Sequence, residues 1–191
     1  VERPADRRAN FRAFLEARAT MTNPSFMAVN LLIVDDNRNM RTLLRTVLRA
    51  IGIKQIHEAA DGNSGYAELL RCKPDIVITD LSMQGADGIE FTRKVRLSRD
   101  SPDPFVPILM VTGHTERARI EAARDAGVTE FLAKPITVQS LLDRLIKIVE
   151  RPRPFVRSEA YFGPDRRRRR SDSGAAPRRR RDDRAETVEI E

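Results

Sequence analysis

Four apolar runs of strand length stand in the middle of the chain, and each ends in a polar side chain. Leu31–Val34 runs into Asp35 and Asp36, Ile76–Thr79 into Asp80, Ile108–Val111 into Thr112, and Phe131–Ala133 into Lys134 and Pro135. The runs are continuously apolar and do not alternate, the pattern of strands buried on both faces of a parallel sheet. A further run, Ile53–Ala59, completes a set of five.

Helical spacing fills the gaps. Asn37 is placed to cap a helix striped by Met40, Leu43, Leu44, Val47, Leu48 and Ile51, which Gly52 stops. Asp61-Gly62-Asn63 turns into a helix through Cys72, with Pro74 beyond it, and another helix begins near Asp87. Pro102, Pro104 and Pro107 stiffen the approach to the fourth strand, after which an Arg/Glu/Ala-rich helix ends at Gly127. Thr137 caps the last helix, whose stripe is Val138, Leu141, Leu142, Leu145 and Val149. Strands alternating with helices predict an α/β fold, a doubly wound five-stranded parallel sheet with right-handed crossovers.

Charge then divides the chain. Of 191 residues, 35 are Lys or Arg and 28 Asp or Glu, a net charge of +7. Residues 28–150 carry 17 of each sign, so the basic excess belongs to the segments 1–27 and 151–191. The domain organisation expected is a segment 1–27 without assigned role, disordered or preceding the true start, a domain over 28–150, and a flexible Pro/Arg-rich tail over 151–191. Arg151-Pro152-Arg153-Pro154 reads as an extended linker. The tail has too few apolar residues for a core of its own. One cysteine, Cys72, excludes an internal disulfide and a cysteine-based zinc cluster. No apolar run reaches the ~20 residues of a bilayer span, and no secretory h-region is present. A cytoplasmic location is expected.

In an open parallel sheet the C-terminal strand ends share one crevice. Asp35, Asp36, Asp80, Thr112 and Lys134 would therefore meet. Magnesium needs only a few carboxylates and keeps several waters. Without a cation the three carboxylates would repel one another. An ionised aspartate is a competent nucleophile toward a phosphoryl group, and a hydroxyl and an ammonium could hold phosphoryl oxygens.

These residues, in this order, resemble the receiver domain of bacterial two-component response regulators, of the flavodoxin-like, CheY-like type, over residues 28–150. The resemblance implies that Asp80 accepts a phosphoryl group from a histidine kinase or a histidine phosphotransfer protein. It implies that Asp35, Asp36, Asp80 and the backbone carbonyl of Ser82 hold Mg2+, and that Lys134 binds phosphate. Thr112 and Phe131 would be the switch pair, and the Lys134–Pro135 bond would be cis. Such a protein is a signalling switch, not an enzyme acting on other molecules. It catalyses only its own phosphorylation and dephosphorylation. The chain departs from the family pattern at Gln84, where proline is usual, and at Phe131, which lacks a tyrosine hydroxyl. His114 and Ser82 lie where family members tune dephosphorylation. For His114 an exposed loop residue is the favoured reading, and His57 is not assigned to the site.

The tail stays open. It is too short and polar for a helix-turn-helix module, so no sequence-specific DNA binding is expected and output runs through a protein target or the tail itself. One reading is a solvated polyelectrolyte with nonspecific affinity for nucleic acid. Another is an anion site in which Tyr161 and Phe162 stand beside Arg166, Arg167, Arg168, Arg169 and Arg170, since guanidinium binds phosphate bidentately and stacks on flat rings. That composition is similar to CheY-like regulators with arginine-rich extensions that bind cyclic di-GMP and act at the flagellar motor switch. A membrane anchor is disfavoured because acidic residues interleave with the arginines.

Overall fold

A computed structural model describes residues 29–113, 117–158, 161–166 and 186–188. Its body is a parallel sheet of five strands, β1 (Asn30–Val34), β2 (Gln55–Ala59), β3 (Ile76–Asp80), β4 (Ile108–Thr112) and β5 (Glu130–Ala133), in the order β2-β1-β3-β4-β5. Five helices alternate with them: α1 (Arg38–Ala50), α2 (Gly62–Cys72), α3 (Gly88–Leu97), α4 (Arg117–Asp125) and α5 (Val138–Glu150). The fold class expected from the pattern is the one observed.

Each strand feeds both faces. Leu31 and Ile33 of β1 join Leu44 and Leu48 of α1 and Leu141, Leu145 and Ile148 of α5 on one side. Leu32 and Val34 join Tyr66 and Leu69 of α2 and Phe91 and Val95 of α3 on the other. A third cluster seats Ala123 of α4 on Met110 and Leu81. Alternate residues of one strand thus serve opposite cores, which is why the runs are apolar without a break.

Side-chain caps start the helices where the sequence places them. The Asn37 side chain accepts from the N–H groups of Asn39 and Met40, Asp61 and Ser64 close a reciprocal capping box, and so do Thr137 and Ser140. Each such cap contributes about 1 kcal/mol.

Beyond α5 the structure differs from the flexible tail expected over 151–191. β6 (Phe155–Ser158) and β7 (Tyr161–Pro164) pair antiparallel, and β8 (Glu186–Val188) pairs with the other edge of β6. The hairpin has no core of its own but borrows one. Phe155 and Phe162 are buried, and both rings pack edge-on to Phe105 of the α3–β4 loop at centroid distances of 5.1 and 5.2 Å. The Arg96 guanidinium, 3% exposed, lies 5.2 Å from the Phe155 ring centre and donates to the carbonyls of Gly127 and Pro104. Gly163 allows the closest approach: a Cβ there would come within 2.8 Å of Gly127 Cα. Counting apolar residues in the tail alone missed this, because the apolar partner lies 50 residues upstream.

The hairpin gathers at the C-terminal ends of α3 and α4, the pole of the sheet opposite the strand ends that carry Asp80 and Thr112. Among the described residues no helix is long and apolar enough to cross a membrane.

Candidate functional site

The strand order reverses between β1 and β3, and the loops leaving these two strands diverge there to open a crevice. Asp35 and Asp36 leave β1, Asp80 ends β3, and carboxylate oxygens of all three lie within 4.8 Å of one another. Asp35 and Asp80 are buried and Asp36 is exposed at the mouth.

Every carboxylate is oriented by a partner. Asp35 Oδ1 accepts from the Asn37 N–H at 2.8 Å, while the Arg41 guanidinium holds the Asp35 carbonyl at 2.6 Å. Asp36 Oδ2 accepts from the Gln84 N–H at 3.0 Å. Asp80 Oδ1 accepts from the Leu81 N–H and meets the Lys134 ammonium, both at 3.0 Å. Burial holds the Asp35 carboxyl above its usual range, and the nearby Asp80 and Asp36 charges push it the same way. Repulsion among the carboxylates is therefore present at Asp35, but desolvation leads it.

The β4 and β5 ends close the crevice. Asp80 is in register with Val111, so Thr112 follows directly, and the Lys134 N–H donates to the Thr112 carbonyl at 2.9 Å. Thr112 is buried. Phe131, half-buried, packs against the α4 cluster. The Lys134–Pro135 bond is cis. Ser82 stands two residues past Asp80 on the β3–α3 loop. His114 lies outside the described residues. His57 is remote from the crevice and pairs with Glu68 at 3.0 Å.

Two glycines that the motif reading passed over set the approach distances. A Cβ on Gly88 would collide with the Asp80 carbonyl, and one on Gly62 would come within 2.7 Å of the Ala86 carbonyl. The first turn of α3 can thus sit directly beneath the end of β3. Their only sequence signal is position, next to a helix cap in each case.

The donor set suits a hard divalent cation: three carboxylates converge, and Asp35 Oδ2 is buried with no hydrogen-bond partner among the described residues. A buried carboxylate oxygen without a donor is costly unless a cation or water meets it.

Residues 31–146 match the family described as response regulator receiver domain. The chain belongs to that family. It is 36% identical to chemotaxis protein CheY-3 of Vibrio cholerae over 123 residues, 64% of this chain and 93% of that one. It is 37% identical to chemotaxis protein CheY of Pseudomonas aeruginosa over 123 residues, which is 98% of that chain. Among solved structures, Vibrio cholerae CheY4 superposes with a TM-score of 0.58 at 30% identity, covering 63% of this chain and 98% of that one. The receiver domain of a sensor histidine kinase from Pseudomonas aeruginosa, described with magnesium coordinated in its active-site cleft, matches with a TM-score of 0.58 at 26% identity, covering 64% and 98%. The receiver is thus a response-regulator module of a two-component phosphorelay.

Of the tail's expected anion set, the described residues are Tyr161, Phe162 and Arg166. Phe162 is buried in the Phe105–Phe155 cluster with Arg157 over its ring, so it offers no open face. Tyr161 donates to the Pro164 carbonyl and is covered by Arg166 at 3.7 Å, and Arg166 pairs with Asp125 at 2.8 Å. These aromatics fasten the hairpin, which explains their presence without a ligand. Arg167, Arg168, Arg169 and Arg170 lie outside the described residues.

Proposed function

We propose that Asp80 is the phosphoacceptor of this receiver and that phosphorylation switches a protein-binding surface. The observation that carries the reading is the meeting of Asp80, Asp35 and Asp36 with the Lys134 ammonium 3.0 Å from Asp80 Oδ1. In the transfer, a carboxylate oxygen of Asp80 attacks phosphorus, the O–P bond forms as the N–P bond of a phosphohistidine breaks, and the histidine leaves with its electron pair. The donor is a histidine kinase or a histidine phosphotransfer protein.

Asp35, Asp36, Asp80 and the Ser82 carbonyl would hold Mg2+. Bound there, Mg2+ supplies charge neutralisation for the incoming phosphoryl oxygens. The protein's own groups do the rest. Leu81 N–H orients the attacking carboxylate, Lys134 moves from carboxylate to phosphoryl oxygen, and the Thr112 hydroxyl takes another oxygen. Phe131, beside α4, would fill space that Thr112 leaves, so the reshaped surface lies around α4 and β5. The protein works in the cytoplasm as a switch, and its catalysis is confined to its own acyl phosphate.

The test is incubation of the full chain with a small phosphodonor and Mg2+, read by intact mass. Wild type is expected to gain one phosphoryl group and Asp80→Asn none. Equal incorporation in the two proteins, or none in wild type, would overturn the assignment. A companion measurement is phosphorylation-dependent partner binding in Thr112→Ala, which the switch requires to be lost.

A further inference from the structure

The Asp36–Gln84 hydrogen bond joins two loops 48 residues apart, the turn after β1 and the loop between β3 and α3. The donor is the backbone N–H of the residue where the receiver pattern usually carries proline. Proline has no N–H. A receiver with proline there could not make this bond, so it belongs to this chain's particular sequence.

The same loop is fastened on its far side. The Gly62 N–H donates to the Ala86 carbonyl at 2.9 Å, and Gly62 is the residue whose missing Cβ lets the two backbones meet. Asp87 then caps α3 by accepting from Ile89 and Glu90, and pairs with Arg119 of α4 at 3.0 Å. Ser82, whose carbonyl is the proposed fourth protein ligand, lies between the end of β3 at Asp80 and these fastenings. Gly85, with φ +79°, makes the turn that carries Gln84 toward Asp36.

We infer that the Gln84 N–H is a positioning group for the cation, acting through Asp36. This inference rests on the magnesium reading of the crevice given above. Asp36 is the exposed member of the acidic trio, and its side chain would otherwise be free to swing into water, away from Asp35 and Asp80. The N–H engages Oδ2, leaves Oδ1 for a cation, and offsets part of the negative charge that the three carboxylates gather. Donors behind metal-ligating carboxylates fix their orientation, and removing one typically weakens metal binding about 10–100-fold. At this exposed position the lower end of that range applies. The bond also holds the β3–α3 loop against the β1 turn, and with it the Ser82 carbonyl.

The experiment is Mg2+ titration calorimetry on the full-length protein, comparing Gln84→Pro with Gln84→Ala. Alanine keeps the N–H and proline deletes it, so proline is expected to bind Mg2+ about tenfold more weakly than alanine. In an Asp36→Ala background the two substitutions should become equivalent, since the acceptor is gone. Because proline also restricts the backbone, amide hydrogen exchange supplies a second reading on otherwise unaltered sequence. The Gln84 amide should exchange faster in Asp36→Ala than in wild type, and more slowly as Mg2+ is added to wild type. Equal affinities of the proline and alanine variants, or a Gln84 amide indifferent to Asp36, would overturn the inference while leaving the cation site standing. A wild-type protein that takes up no Mg2+ would instead overturn the parent reading.

Discussion

Lys134 Nζ stands 3.0 Å from Asp80 Oδ1, so the crevice already contains a cation of its own. That ammonium sits on the carboxylate proposed both to ligate metal and to attack phosphorus. In Lys134→Met the three carboxylates lose their internal counter-charge. Like-charge repulsion between ammonium and metal also disappears, an effect of about 1 kcal/mol or more at this range. Mg2+ should then bind several-fold more tightly by calorimetry. Phosphorylation-dependent partner binding should be lost, because no ammonium remains to follow the phosphoryl group.

Asp35 is the carboxylate most burdened by its surroundings. Its pKa is raised in the folded protein, chiefly by burial. The folded state therefore holds the Asp35 proton more tightly than the unfolded chain, and this contribution to stability falls as pH rises from the ordinary carboxylate range through the raised value. At neutral pH the ionised group opposes folding. Asp35→Asn keeps an oxygen to accept from the Asn37 N–H and removes the charge. Without Mg2+ the variant should be more stable by about 1 kcal/mol in thermal melts near pH 7. The gain should shrink in acid, and the stabilisation that Mg2+ gives wild type should vanish.

Those two residues also show what a sequence can tell. Asp35, Asp80, Thr112 and Lys134 were legible because each ends a continuous apolar run, and a parallel sheet brings strand ends together whatever the loops do. The caps Asn37 and Thr137 were legible because a cap acts within three residues of itself. Distances across the fold were not. The Gln84 N–H, the glycines at 62 and 88, and the Arg41 hold on the Asp35 carbonyl all depend on which backbone lies opposite. Composition carries no trace of that. The hairpin at 155–164 was missed for the same reason, its ring partner Phe105 being remote in sequence and adjacent in space.

Gly88 offers a steric test of the acceptor's setting. A Cβ there would run into the Asp80 carbonyl and press on Met110. In Gly88→Ala either α3 retreats or β3 shifts, and overpacking of this kind costs about 1–3 kcal/mol. Since the displaced atom belongs to the proposed phosphoacceptor, the rate of incorporation from a small phosphodonor should drop further than the melting temperature alone implies. Gly85→Ala is the contrast. Its Cβ would meet nothing within 4 Å, so the penalty is only that of φ +79°.

Arg96 tests whether the hairpin is part of the fold. Burial pulls its pKa down to about 10, so it stays charged at neutral pH in a nearly dry site. Replacing a buried charge with a hydrophobe relieves that desolvation. Here the same guanidinium satisfies the carbonyls of Gly127 at 3.1 Å and Pro104 at 2.8 Å, and both would lose their donor. The Gly127 carbonyl is buried, and an abandoned buried acceptor costs about 1–3 kcal/mol; the half-buried Pro104 carbonyl costs less. The lost hydrogen bonds outweigh the relief, so Arg96→Leu should destabilise the full chain by about 2 kcal/mol in urea melts. Phe162→Ala, which opens the aromatic cluster over the same region, should cost about 3 kcal/mol. With Phe162 gone, water reaches the two carbonyls and takes the place of the guanidinium. The double variant should therefore lose clearly less than the sum of the single losses. Strict additivity would mean that the hairpin and the buried arginine act independently, and that β6 and β7 merely rest against the receiver.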